Sequence, residues 1–177
     1  GIEEEYQIID PESGELTSYV QELLDQGRWV LPDQIKPEFM QSQIEVGSHI
    51  CQNIQEAREE LRRLRGSIGE LVDRNGLQMV AASTHPFSEW IHQEVSAGKR
   101  YTKLTKDFGD VARRLLIFGM HVHIGIDDRN ALIDVMNQVH YFLPHVLALT
   151  TSSPFWHGRD TGLKSYRSIV FESLPRT

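Results

Sequence analysis

Phe118-Gly119-Met120-His121-Val122-His123-Ile124-Gly125-Ile126 reads as a strand whose two faces differ in chemistry. Side chains alternate across a strand, so Met120, Val122, Ile124 and Ile126 share one face and Gly119, His121, His123 and Gly125 the other. The first face is apolar and suits a core. The second presents two imidazoles about 7 Å apart by strand rise, between glycines that leave room for close approach to the backbone. A histidine pair of this kind serves either as two half-buried rings tied down by hydrogen bonds or as part of a ligand set. The residues elsewhere in the chain decide between the two.

The patterns outward from that strand mix strands with helices. In residues 1–9, Ile2, Tyr6 and Ile8 alternate with Glu3, Glu5 and Gln7, a strand pattern in which Glu4 falls on the apolar side. Asp10-Pro11-Glu12-Ser13-Gly14 is a turn cluster. Short strands are expected at Trp29-Val30-Leu31, from Phe39 to Val46 and from Leu77 to Ser83. Between Asn53 and Asn75, Ile54, Ala57, Leu61, Leu64, Ile68, Leu71 and Val72 recur at helical spacing, and Asn75-Gly76 closes the helix. A second helix is marked by Phe108, Val111, Ala112 and Leu115. A third follows the cap Asp127-Asp128, with Pro144 restarting or kinking it. Thr151 to Gly162 reads as loop and Ser168 to Phe171 as strand. The expectation is an α+β fold with a largely antiparallel sheet. Gly1 opens directly on a strand pattern and Thr177 follows another, as expected for a portion of a longer polypeptide.

Composition narrows the function classes. Forty per cent apolar and 24% charged residues describe a globular chain long enough to bury a core. Twenty-five acids against 18 bases give a net charge of −7, which argues against nucleic acid as a partner. Cys51 is the only cysteine, so neither an internal disulfide nor a cysteine zinc site can form. No apolar run approaches a membrane span and no secretory signal is present, which makes a cytoplasmic location the expectation.

Carboxylates supply the chemistry that the histidines lack. Glu3 and Glu5 share a strand face, and two acids so placed repel unless a cation lies between them. A solvated charged face is the plain alternative. Glu45 follows Gln41 and Gln43 on one face of its strand, whereas Glu38 has opposite parity and joins them only across a bulge or from a loop. Oxygen donors with one imidazole suit Mg²⁺ or Mn²⁺ better than structural zinc, and such ions neutralise nucleotide triphosphates. The loop Ser152-Ser153-Pro154-Phe155-Trp156-His157-Gly158-Arg159-Asp160-Thr161-Gly162 is dense in polar residues. Arg159 and Arg167 are candidates for bidentate contact with carboxylate or phosphate, although a loop arginine alone is more often a surface residue. His85 in Thr84-His85-Pro86-Phe87 reads as a turn-stabilising residue or a site residue. The arginines between Arg58 and Arg65 read as the solvated face of a helix.

Gly1-Ile2-Glu3-Glu4-Glu5-Tyr6, Glu45-Val46-Gly47, Thr84-His85-Pro86-Phe87, the histidine strand and the segment from Ser153 through Ser165-Tyr166-Arg167 resemble the type 2 glutamate–cysteine ligase family. Within it they are most similar to the bacterial carboxylate–amine ligase branch. The resemblance implies a glutamine-synthetase-like catalytic fold, a curved antiparallel sheet with helices on one side and metals and ATP on the concave face. Residues 1–177 would be the N-terminal portion of a single catalytic domain whose C-terminal half lies outside this sequence. Glu3, Glu5 and Glu45 would hold catalytic Mg²⁺ (or Mn²⁺), with Glu38 a further carboxylate. His121 would be a metal ligand and His123 the residue nearer the nucleotide. Arg167 would grip the carboxylate of the amino-acid substrate, with Arg159, Thr161 and His85 in the neighbouring substrate region. The implied reaction is ATP-dependent amide formation between an acid such as glutamate and an amine such as cysteine, through an acyl phosphate. The implied partners are these small molecules, with homo-oligomerisation expected where sheet edges stay open.

Two rival readings carry distinct expectations. A metal-dependent hydrolase built on the His-x-His strand needs further histidines and an aspartate at later strand ends, and His49, His85, His92, His140, His145 and His157 do not show that pattern. A non-catalytic binding or assembly module would not need several acids around one cation.

Overall fold

A computed structural model describes residues 1–174. Its centre is an antiparallel sheet of β1 (Ile2–Ile9), β2 (Ile35–Pro37), β3 (Gln43–Gly47), β4 (Gln78–Val80) and β5 (Met120–Val122). The order is β2-β3-β1-β4, and β5 pairs with β1 beside β4: β4 lies along Gln7–Ile9, β5 along Ile2–Glu4. The fold is α+β with an open antiparallel sheet, as the alternating patterns led us to expect.

One face of this sheet is covered by α1 (Val20–Gly27) and α2 (Ile54–Arg74). Helix α2 starts where the sequence marks it. The Asn53 side chain accepts from Glu56 N–H at 3.0 Å, and Glu56 reaches back to accept from Gln52 N–H at 2.8 Å. Leu64, Ile68 and Val72 of its apolar stripe are buried against Tyr6, Ile8, Ile44 and Val46. Each such aliphatic side chain contributes about 1.5–3 kcal/mol on burial. Glu4 breaks the alternation of β1 for a reason visible only here. It is 5% exposed on the helix side of the sheet, where the Arg65 guanidinium and Tyr6 hydroxyl both donate to it. Burial opposes its charge, but these donors hold the Glu4 carboxyl below its ordinary value. Arg65 therefore does not belong to a purely solvated helix face.

A second cluster joins Phe39, Met40, Tyr101, Ala112, Leu116, Ile117, Phe118, Trp156 and Val170. It draws on α3 (Lys99–Phe108), α4 (Asp110–Arg113), the hairpin β6 (Phe155–Trp156) with β7 (Arg159–Asp160), and α7 (Arg167–Phe171).

Several local expectations need correction. Trp29-Val30-Leu31 is not a strand: Val30 and Leu31 donate back to Gly27 carbonyl in turns that follow α1, and Trp29 is 90% exposed. The helix near Phe108 begins at Lys99 and breaks at Gly109, whose φ of +53° an L side chain rarely adopts. Ser168–Phe171 is helical despite its β-branched residues, because Arg167 N–H donates to Ser153 Oγ at 3.1 Å and starts a turn that Ile169 and Val170 continue. The stretch Thr151–Gly162 contains the β6–β7 hairpin. The presumed core face of the histidine strand is open: Met120, Val122 and Ile124 are 52, 58 and 73% exposed. Helices α5 (Arg129–Val139) and α6 (Leu143–Thr150) form where expected, capped by Asp128 and led by Pro144, but they too expose Met136, Leu143 and Leu147. No described helix is long and apolar enough to cross a membrane.

Candidate metal and substrate site

The sheet face opposite α1 and α2 carries the polar residues, and strand register sets them in rows. Lys36 lies opposite Glu45 across β2–β3, and Glu45 opposite Glu5 across β3–β1. Gly119 continues the row, its carbonyl accepting from Glu5 N–H at 2.9 Å and its N–H donating to Glu5 Oε2 at 2.6 Å. One pleat along, Gly47 lies opposite Glu3, and Glu3 opposite His121. Residues two apart on a strand share a face, so Glu3, Glu5, Lys36, Glu45, His121 and His123 all gather on one surface.

Two candidate ligand sets result. In one, carboxylate oxygens of Glu5, Glu38 and Glu45 lie within 4.8 Å of one another. In the other, Glu3, His121 and His123 do so: Glu3 Oε2 is 3.0 Å from His123 Nε2 and 3.5 Å from His121 Nδ1. Glu38 reaches the first set without a bulge. It follows β2, not β3, so parity with Glu45 along one strand does not apply. His123 stands in the second set, within hydrogen-bond distance of Glu3.

The electrostatics of the two sets differ. Burial pushes the Glu5 carboxyl up, with Glu45 adding to the rise and Gly119 N–H opposing it. Burial does the same to Glu38, and the neighbouring Glu45 and Glu5 raise it further. Three acids whose charges repel at this range fit a divalent cation, which would remove the repulsion. Glu3 is held below the ordinary range, chiefly by its hydrogen bond with His123. Lys36 links the sets: its ammonium is 3.2 Å from Glu45 Oε1 and 3.4 Å from Glu3 Oε1. Burial lowers Lys36, but the two carboxylates outweigh it and leave it raised.

Arg167 arrives from α7. A Cβ on Gly119 would lie 3.0 Å from Arg167 Nη2, 3.4 Å from His121 Nε2 and 3.5 Å from Glu5 Oε2. Glycine at 119 thus lets a guanidinium reach the point where both ligand sets meet. Arg167 Nε is buried without a hydrogen-bond partner among the described residues, a donor left for something else to accept.

Other expected residues stay apart. His85 is buried, with Nε2 bonded to Gly14 carbonyl at 2.9 Å and Nδ1 accepting from Ser88 N–H at 2.9 Å, so it stabilises a turn and has no nitrogen to offer a substrate. Burial lowers its protonation further. Arg159 is exposed on β7, and Thr161 Oγ1 donates to Pro154 carbonyl at 2.9 Å. Among the described residues, no hydrogen bond or ion pair joins either to the acids or histidines of the two sets. His157 pairs with Glu89, and none of the remaining histidines enters a ligand set among the described residues. Lys36 escaped the sequence reading. The signal was present in Ile35-Lys36-Pro37-Glu38 before Gln43-Ile44-Glu45: read as a hairpin, it sets Lys36 against Glu45.

The profile of glutamate–cysteine ligase family 2 matches residues 1–177. Curated relatives named "Putative glutamate--cysteine ligase 2" include one from Herpetosiphon aurantiacus, 56% identical over 177 residues, covering 100% of this chain and 46% of the relative. One from Roseiflexus castenholzii is 54% identical over 177 residues, with 100% and 47% covered. One from Sorangium cellulosum is 52% identical over 179 residues, with 100% and 48% covered. The chain spans about half the length of the curated relatives it matches. With a family profile matched from end to end, the chain belongs to glutamate–cysteine ligase family 2.

Proposed function

We propose that these residues form part of the catalytic face of an ATP-dependent carboxylate–amine ligase. It joins the γ-carboxylate of glutamate to cysteine or a related amine. The observation that carries the reading is the convergence of three acids, the Glu3–His121–His123 set and the Arg167 guanidinium on one side of one sheet. Relatives bearing ligase names support the same class.

Glu5, Glu38 and Glu45 would hold one Mg²⁺ or Mn²⁺, and Glu3 with His121 another, with His123 on the nucleotide side. Oxygen-rich donor sets with imidazole suit these ions. Bound there, such ions would offset charge on the ATP phosphoryl oxygens. Arg167 orients the acid substrate, its fork of N–H donors matching a carboxylate. ATP phosphorylates the γ-carboxylate, releasing ADP and leaving an acyl phosphate. The amine nitrogen then attacks the acyl carbon, loses a proton and displaces phosphate. No step asks for a nucleophilic side chain, so Cys51 stays outside the chemistry. ATP as co-substrate and a free cysteine fit a cytoplasmic protein.

The test is ADP release on a protein of the relatives' full length carrying this sequence, with ATP, Mg²⁺, glutamate and a panel of amines. The reading fails if no acid–amine pair raises ADP above background. Arg167→Ala should raise KM for the acid by roughly 10–100-fold, the loss of a charge-assisted bidentate contact.

A further inference from the structure

Among the described residues, Lys36 is the one side chain ion-paired with both candidate sets, through Glu45 Oε1 and Glu3 Oε1. It is held there by register, opposite Glu45 in the β2–β3 ladder, and not by chance of rotamer alone. Its side chain is about half exposed, so the ammonium can leave for water without a burial penalty. A divalent ion on Glu45 or Glu3 would share a carboxylate that Lys36 already contacts; on Glu3, Lys36 holds Oε1 while Oε2 faces the two histidines. The ion binds such oxygens at about 2.0–2.1 Å, which sets its two charges against the ammonium at close range.

We infer that Lys36 is a tethered cation that divalent metal must displace. Without metal it bridges the two sets and keeps their acids preformed. When metal enters either set it loses one carboxylate, so the two sets are coupled through a single side chain. The inference rests on the proposed metal sites and adds the residue that governs their occupancy.

Three measurements test it on the chain itself. Free Mn²⁺ is followed by electron paramagnetic resonance for the wild type, Lys36→Met and Lys36→Arg. Removing a unit charge this close to a divalent ion should tighten Mn²⁺ binding ~10-fold or more in Lys36→Met, even with solvent screening. Lys36→Arg, which keeps the charge, should stay within ~3-fold of wild type on the same reasoning. In EDTA, Lys36→Met should melt below wild type, and Mn²⁺ should close or reverse the gap. In the unmodified chain, the ¹⁵Nζ signal of Lys36 should shift as Mg²⁺ is added, a readout that needs no variant. If wild type binds Mn²⁺ and Lys36→Met binds no more tightly, or the Lys36 signal stays still while Mg²⁺ saturates, the inference is overturned and the metal reading stands. If neither wild type nor Lys36→Met binds Mn²⁺, both are overturned.

Discussion

Glu5→Gln should make the metal-free protein more stable while weakening the Mg²⁺ response expected of the proposed site. Glutamine keeps the size of the side chain and, through Oε1, the acceptor for Gly119 N–H at 2.6 Å. Only the charge goes. The oxygens of Glu5, Glu38 and Glu45 lie within 4.8 Å of one another. At that spacing, two unit charges repel by about 3 kcal/mol for an effective dielectric of about 20. Glu5 faces two such neighbours, opposed by the charges of His121 and Arg167. Proton sharing and solvent leave a net release of about 1–2 kcal/mol, a rise of about 3–6 °C in Tm for a chain of this size.

The sign with pH follows from the direction of the shifts. Glu5 and Glu38 are both raised above 4.5, so the unfolded chain gives up these protons first. Metal-free stability therefore falls as pH climbs from 4.5 through the raised values, and Glu5→Gln should flatten that fall. Added Mg²⁺ at 100 times its Kd would stabilise wild type by about 2.7 kcal/mol and the variant by much less, reversing their order. Thermal unfolding by circular dichroism in EDTA and in MgCl₂ measures both effects. A variant that melts below wild type in EDTA, or that gains as much from Mg²⁺, refutes the argument.

Arg65→Met should cost about 1–3 kcal/mol at pH 7, less than a fully buried pair because the guanidinium is half exposed. Glu4 is held below 4.5, so its pairing stabilises fully above that pH and is lost below it. The penalty should shrink as urea unfolding is repeated at lower pH, and a constant penalty contradicts the assignment. In a protein of the relatives' full length, Gly119→Ala should lower the proposed ligase turnover about 10-fold, since its methyl must push Arg167 Nη2 back from 3.0 Å. Its Tm should stay within a few degrees, and wild-type kinetics would separate Arg167 from the reacting groups. Leu64→Ala, at a fully buried position, should lose about 2–5 kcal/mol in urea unfolding. A smaller loss would mean that the α2–sheet contact collapses to fill the space.

Periodicity carried further for local structure than for packing. The 3.6-residue recurrence from Asn53 to Asn75, with caps at both ends, set the bounds of α2, because capping and amphipathicity are local properties. Alternation in residues 1–9 placed Glu3 and Glu5 on one face for the same reason. The strand reading of Ser168–Phe171 failed because local β propensity lost to a tertiary anchor, the Ser153 hydroxyl. The apolar face of the histidine strand was legible as apolar, but whether it is covered depends on what packs there, and alternation cannot report that.

The candidate site divides along the same line. The sequence by itself determined which residues could do chemistry: acids two apart on a strand, a histidine pair two apart on another, and an arginine beyond. Their grouping was decided by the tertiary structure, since register between strands distant in sequence is a long-range property. Pairing of β1 with β3 and β5 split the candidate ligands into two sets instead of one. The β2–β3 turn brought in Glu38 and Lys36 from a neighbouring strand, where parity along a single strand had no bearing. Glu4, a flaw in the alternation, acquired its reason only when α2 laid Arg65 across the other face. A buried charge is tolerated where its partner arrives, and the partner here comes from another element of the fold.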